Sequence, residues 1–572
     1  MTPLSRAFCA LVLGASTVPL AAAPADFHAW AATPPMGWNS WDCFATTATE
    51  EMTRAQADVM ASKLAVHGWQ YVVVDIQWYE PGATGYGYHD NAQLALDGYG
   101  RLVPAENKFP SSRGGAGFAA LSSYVHSKGL KFGIHLMRGI PRQAVEKNLP
   151  VLGTAFRARD IADTVHVCPW NSDMYGVDMS KPGAQAYYDS VFSLIASWGV
   201  DFVKVDDLSR PYVRNEPEIE AVRRAIDQAG RNIVLSTSPG ETDIQAAAHV
   251  VGHANMWRIS DDFWDHWSLL EAQFGRLDKW SRWRQPGAWP DADMIPIGII
   301  ELGRKTWFTA SEQTTLMTLW CIARSPLMLG ADLTKLDAPT LALLTNDEVI
   351  AVNQASANNR QLFREPDGGI GWVADTEDGR GRYLALFNTR DPWVIGESNR
   401  LWKGPVVTMG TPGQKIPFDI PVRGLKTIVM VADDSGSPRF WWPSVFRTVR
   451  WVMADGREVA ADREYGSHGE RQNPLAVPEG AVAIRGEALL DATARENAKG
   501  EGMSFSAYGY SAAELAKAGQ AVALQVDALG LGKSVEIRDL WNRRDLGVFT
   551  GAFSPVIEWH GARLYRVIPA RP

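Results

Sequence analysis

The chain has 572 residues, of which 46% are apolar and 21% charged, with a formal net charge of −8. That length supports two or three domains with large cores, and the composition is that of a globular protein, which excludes disordered and fibrous classes. An acidic balance without any Lys/Arg run excludes nucleic acid as a main partner, because phosphate recognition needs clustered cations.

Taken in chain order, residues 1–25 read as a secretory signal peptide. Arg6 precedes an apolar stretch over 7–20, and Ala23-Pro24-Ala25 supplies an A-x-A cleavage site. Export to the periplasm or the medium is therefore expected. Cys9 lacks the context of a lipobox, and no later apolar run reaches the roughly 20 residues of a membrane span, so no membrane anchor is expected. Cys43, Cys168 and Cys321 remain, which allows at most one disulfide.

Residues 26–353 alternate short apolar runs with helical patterns. The runs at 70–78 (QYVVVDIQW), 131–137 (KFGIHLM), 201–207 (DFVKVDD) and 233–238 (IVLSTS) read as buried parallel strands. Segments 36–41, 256–260, 292–297 and 326–330 supply the others, and amphipathic helices are expected at 53–67 and 184–198. Polar residues cluster where nearly every strand ends, which favours a (β/α)8 TIM barrel over an open sheet. From 354 to 572 short alternating segments dominate, with Asp455-Gly456 as a hairpin signal. The expected fold class is α/β: a barrel followed by a C-terminal antiparallel β-sandwich with a β-rich insertion.

Carboxylates at the strand ends are the main chemical signal. Asp75 ends the second strand, Asp206 and Asp207 the fourth, Asp261 and Asp262 follow the sixth, and Asp291 and Asp293 bracket the start of the seventh. Strand ends converge on one mouth, where a retaining glycosidase would need two carboxyl groups about 5 Å apart. Any one of these aspartates could instead cap a helix. Several together, interleaved with Trp41, Trp78, Lys204 and Arg258, go beyond capping. The 23 tryptophans add stacking surfaces for sugars, though Trp also fills cores.

At these residues the chain resembles glycoside hydrolase family 27, the melibiase family of α-galactosidases and α-N-acetylgalactosaminidases. The blocks are 35–41 (PMGWNSW), Val74-Asp75, 124–134 (YVHSKGLKFGI), 198–206 (WGVDFVKVD), 257–262 (WRISDD), 289–294 (WPDADM), 325–327 (SPL) and 346–354 (NDEVIAVNQ). The resemblance implies that Asp206 is the nucleophile and Asp262 the general acid and then base. Asp261 is an adjacent competitor, but the family's acid falls four residues after the arginine. The same resemblance implies sugar contacts from Trp41, Asp75, Lys204, Arg258 and Asp293, and a pocket with no metal or organic cofactor. No His/Cys cluster points to a metal either.

Four departures bear on the sugar, and three of the residues involved, Ile76, His135 and Ser238, are expected to contact it as well. Ile76 replaces the second of two aspartates after the second strand, and His135 stands where many members place tyrosine. The fifth-strand segment 236–240 (STSPG), with Ser238, lacks the glutamate of some galactosidases, and the cysteine that often follows the nucleophile is absent. Segments 383–388 and 535–565 resemble the family's terminal β-sandwich, so that roughly 392–515 reads as an inserted β-rich module, with Trp441 and Trp442 as candidate sugar platforms or a purely structural elaboration. The implied function is a retaining, exo-acting hydrolase of terminal α-D-galactosyl groups on an oligosaccharide or polysaccharide. A β-L-arabinopyranosidase and a non-hydrolytic carbohydrate-binding protein are the alternatives.

Overall fold

The computed structural model describes residues 26–391, 397–408, 415–433, 444–461, 465–466, 472–490, 502–517 and 519–571. The signal-peptide assignment and the Trp441–Trp442 platform lie outside the described residues. Eight parallel strands form the barrel: β1 (Met36–Asn39), β2 (Tyr71–Val74), β3 (Lys131–Met137), β4 (Phe202–Asp206), β5 (Val234–Thr237), β6 (Met256–Arg258), β7 (Trp289–Asp291) and β8 (Leu327–Leu329). They pair in chain order, with β8 beside β1. A parallel bridge between Ile295 and Leu329 joins the β7 end to β8 and closes the ring. The strands are almost wholly buried, which is why they read as near-continuous apolar runs rather than alternating ones. β1 and β2 approach so closely at Gly37 that a Cβ there would lie 2.6 Å from the Tyr71 carbonyl oxygen.

The helices α1 (Glu50–Val59), α2 (Ala119–Ser127), α3 (Ala184–Ser197), α4 (Tyr212–Gln228), α5 (Ala247–Val251), α6 (Trp267–Trp280), α7 (Ala310–Ala323) and α8 (Asp347–Ala355) follow the strands in turn. Thr49 caps α1 by accepting from Met52 N–H, and Thr309 with Glu312 forms a capping box on α7. Two sequence expectations shift. The helix expected over 53–67 begins at Glu50, and after Val59 its ladder changes to a π turn at Met60–Leu64. The seventh strand lies at Trp289–Asp291 instead of 292–297. It contains Pro290, and the neighbouring Trp289 N–H donates to Asn255 on the β6 side. The missing N–H of Pro290 therefore falls on the barrel's sparsely bonded seam, where a proline is tolerated.

Beyond the barrel, a six-stranded antiparallel sheet is built from β9 (Ala357–Arg364), β10 (Gly369–Asp375), β11 (Arg382–Asn388), β12 (Ser534–Asp539), β13 (Arg544–Thr550) and β14 (Gly561–Pro569), in the order 9-10-11-14-12-13. It joins the barrel through α7, where Thr315 Oγ1 donates to His560 O at 2.7 Å, and through Arg538, paired with Glu348 at 2.8 Å. Between β11 and β12 the chain makes two further antiparallel sheets. One contains Thr427–Asp433 and Gly502–Tyr510, the other Lys415–Pro421, Ser444–Met453 and Ala481–Leu490. Lys415–Pro421 alternates exposed and buried positions residue by residue, as expected of a sheet with one dry face. Ile416, Phe418, Ile428, Phe446, Trp451 and Phe505 form a core of their own there. Cys43, Cys168 and Cys321 are all free and buried, and no helix among the described residues is long and apolar enough to cross a membrane.

Candidate active site

The mouth of the barrel opens into a cavity of about 600 Å3, lined in part by Trp41, Asp75, Ile76, Lys204, Asp206, Arg258, Asp262 and Asp293. Eight of the ten residues singled out from sequence thus share one pocket, although they span more than 250 positions of chain. Strand geometry brings them together. Lys204 and Asp206 lie two residues apart on β4 and so project to the same face, and Asp75 follows β2 directly. Lys204 Nζ stands 3.0 Å from Asp75 Oδ2 and 3.4 Å from Asp206 Oδ2. Asp75 also accepts from Asn39 Nδ2 at 2.6 Å and from the Ile76 N–H at 2.8 Å.

His135 and Ser238 are placed differently from the expectation of direct sugar contact. Both stand beside Asp206 and outside the cavity lining, because β3 and β5 flank β4. His135 Nε2 lies 3.0 Å from Asp206 Oδ2, and its fully buried ring leaves Nδ1 without a hydrogen-bond partner. Ser238 stands on the other side, where its hydroxyl favours the charged form of Asp206, although the buried Asp206 Oδ1 has no hydrogen-bond partner. Burial acts to raise the Asp206 carboxyl, but Lys204, His135 and Ser238 together outweigh it and hold it below its ordinary range. Asp206 is thus a desolvated carboxylate that stays ionised.

On the opposite wall Arg258 organises the acids. Its Nη2 lies 2.7 Å from Asp293 Oδ2 and 3.2 Å from Asp262 Oδ1, and Nη1 reaches Ser238 Oγ at 3.5 Å. Asp293 has a left-handed backbone, φ 84°, and its carboxylate also accepts from Phe263 N–H at 2.7 Å. The Asp262 side chain is 57% exposed, against 6% for Asp206. Asp261 is engaged elsewhere. It forms a two-pronged pair with Arg210, at 2.8 and 3.0 Å.

Asp42, Asp75, Asp206, Asp262, Asp291 and Asp293 crowd around Lys204 and Arg258, and burial works against the charged form of several of these carboxyls. Burial, reinforced by Asp293, pushes Asp291 up to about 7. Burial also raises Asp293 to about 6 against the pull of Arg258. Asp42 is pushed well above the carboxylate range by burial and by Asp293 and Asp262. It lines the cavity, and its buried Oδ2 has no hydrogen-bond partner. That oxygen packs where a Cβ on Gly330 would come within 2.0 Å of it. Sequence reasoning passed over Asp42, whose signal was an acidic residue directly after the Trp41 block. It also passed over the outer aromatic wall: Tyr88 stacks on Trp41 (centroids 6.1 Å, 12° between planes) and meets Trp170 at 5.7 Å. Carboxylate oxygens of Asp75 and Asp206 with His135 lie within 4.8 Å of one another, but the Lys204 ammonium already supplies that cluster's positive charge.

A barrel mouth carrying two separated aspartates, one locked in the ionised state and one open to solvent, defines a carbohydrate-cleaving hydrolase. The family model described as "Alpha galactosidase A" (Melibiase_2) matches residues 33–178 and 171–355. The chain belongs to this α-galactosidase family, glycoside hydrolase family 27, and its substrates are sugars. Among relatives, the α-galactosidase of Coffea arabica is 33% identical over 56% of this chain and 70% of its own length. "Alpha-galactosidase A" of Cellvibrio japonicus is 29% identical over 66% of this chain and 81% of its own. The crystal structure of a family 27 β-L-arabinopyranosidase from Geobacillus stearothermophilus is 38% identical, covers 95% of this chain and 98% of its own, and superposes with a TM-score of 0.71.

Proposed function

We propose that the protein is an exported, retaining and exo-acting α-galactosidase, with Asp206 as nucleophile and Asp262 as acid and base. The observation that carries this is the contrast between the two carboxyl groups across the cavity. An Asp206 oxygen attacks the anomeric carbon as the bond to the aglycone oxygen breaks, and Asp262 gives that oxygen its proton. Asp262 then takes a proton from water, the hydroxide equivalent attacks the same carbon, and the bond to Asp206 breaks. Lys204 and Asp75 face the cavity together and suit adjacent sugar hydroxyls, while Trp41 offers a ring face. The apolar segment before Ala25 supports export.

Two displacements at one carbon restore its configuration. Proton NMR of the first minutes of hydrolysis of an aryl α-D-galactoside should show the α-anomer of the sugar first. The β-anomer appearing first would end the double-displacement assignment.

Ile76 favours a second reading, β-L-arabinopyranosidase. It is 1% exposed and lines the wall beside Asp75, offering a methyl-bearing surface where a carboxylate would accept hydroxyl protons. β-L-Arabinopyranose has the galactose ring stereochemistry without the 6-hydroxymethyl group, so an apolar wall costs it less. The Geobacillus arabinopyranosidase, alike over nearly the whole chain, adds weight to this alternative.

A further inference from the structure

On the outside of the barrel, remote from the cavity lining, Glu220 of α4 meets His249 of α5 and His253, two residues past its end. The sequence reading found no His/Cys cluster, yet His249 and His253 are spaced H-x3-H. That spacing sets two side chains on one side of a helical turn. We propose that Glu220, His249 and His253 form a binding site for a divalent transition ion of the zinc type.

One donor atom from each residue lies within 4.8 Å of the other two, and the imidazoles stack with centroids 4.1 Å apart and 18° between planes. The nitrogen states are suited to a metal. His253 Nδ1 lies 2.7 Å from the His249 carbonyl oxygen. A carbonyl can only accept, so Nδ1 carries the proton and Nε2 is left with a bare lone pair. His249 Nδ1 lies 2.9 Å from the Tyr212 hydroxyl, which can accept from it, and Nε2 faces Glu220 Oε1 at 3.4 Å. The set is therefore two imidazole nitrogens and one carboxylate oxygen. That mixture suits zinc-like ions, whereas calcium and magnesium prefer shells of oxygen. Bonds of about 2.0–2.1 Å in tetrahedral geometry place donors roughly 3.4 Å apart. The Glu220 side chain, 48% exposed, is free to rotate inward, and the two imidazoles must turn out of their parallel stack for their in-plane lone pairs to converge on the ion. The ion would clip α4 to α5, the helices that follow the strands leading to Asp206 and Ser238.

The test uses the mature full chain, free of any purification tag and stripped with a chelator. Titration calorimetry with zinc chloride should show one saturable site, and zinc should raise Tm. His253→Ala should weaken binding by roughly tenfold or more and abolish the Tm rise. Glu220→Gln, at an exposed position that folding tolerates, should weaken binding in the same direction if His253→Ala proves insoluble. Binding at Asp75, His135 and Asp206 would persist in these variants and would inhibit hydrolysis, so hydrolysis that zinc leaves unchanged belongs to the supporting result. The absence of saturable binding, or equal affinity in wild type and Glu220→Gln, would overturn the proposal.

Discussion

The two walls of the cavity solve opposite electrostatic problems. On the wall built by β2 to β5, Asp206 is almost fully desolvated and would be protonated were it not for Lys204, His135 and Ser238 converging on one carboxyl group. On the wall built by β6 and β7, Arg258 shares its charge between Asp293 and a half-exposed Asp262. A permanent carboxylate needs fixed partners, because burying a charge is costly unless it is paired and hydrogen-bonded. A group that must give and take a proton needs access to solvent and few fixed partners. The difference is thus between a carboxyl group held by fixed partners and one left open to solvent.

Removing each group should expose this asymmetry. Asp206→Asn should have the largest effect, a loss of roughly ten-thousandfold or more in kcat, since no bond to the anomeric carbon can form. Asp262→Asn should cost about a hundredfold to ten-thousandfold with an aryl glycoside. Steady-state kinetics with circular dichroism separates these losses from misfolding, and an Asp262→Asn loss below tenfold would remove it from the acid role.

Lys204→Met should lower kcat/KM by at least about a hundredfold, because a buried charge loses its partner. It should also move the acid limb of the pH profile upward. In the wild type, Lys204 and the other partners hold Asp206 below its ordinary value of 3.8, so activity that requires the carboxylate persists until the pH falls beneath that value. Without Lys204 burial prevails, the folded-state pKa rises, and activity fades at higher pH. An acid limb that stays in place would mean that Lys204 does not set the charge of Asp206.

Ile76→Asp should shift the kcat/KM ratio from arabinopyranoside toward galactoside by about tenfold to a hundredfold, the value of one satisfied buried hydroxyl. An unchanged ratio of the two aryl glycosides would leave position 76 without a part in choosing the sugar. The smallest effect belongs to Asp261→Asn. Its exposed pair with Arg210 is worth about 0–1 kcal/mol, so kcat should change by less than about fivefold. A drop rivalling that of Asp262→Asn would reverse the assignment of the acid.

The barrel was legible in the sequence because strands buried on both faces cannot hide their apolar runs, and 131–137 matches β3 residue for residue. Asp206, Lys204 and Asp75 were legible because polar residues ending such runs have few structural reasons to be there. The seventh strand was displaced by three residues because Pro290 looks like a terminator until the seam beside it is seen. The pairing of His135 with Asp206 was not legible, because a single strand does not reveal which neighbour's side chain it backs. Asp42 carried no periodic signal, and its meaning arises only from the carboxyl groups that other strands bring near it.

The buried cysteines carry a practical consequence. Cys43, Cys168 and Cys321 are unpaired, and burial raises all three thiols, Cys168 to about 12. Thiolate is the reactive form, so the native molecule should be inert to an oxidising milieu and to alkylating reagents alike. Among the described residues no disulfide ties one part of the barrel to another. Each thiol becomes reactive only when its own stretch of the barrel opens. The three cysteines are therefore built-in reporters of where the barrel first gives way.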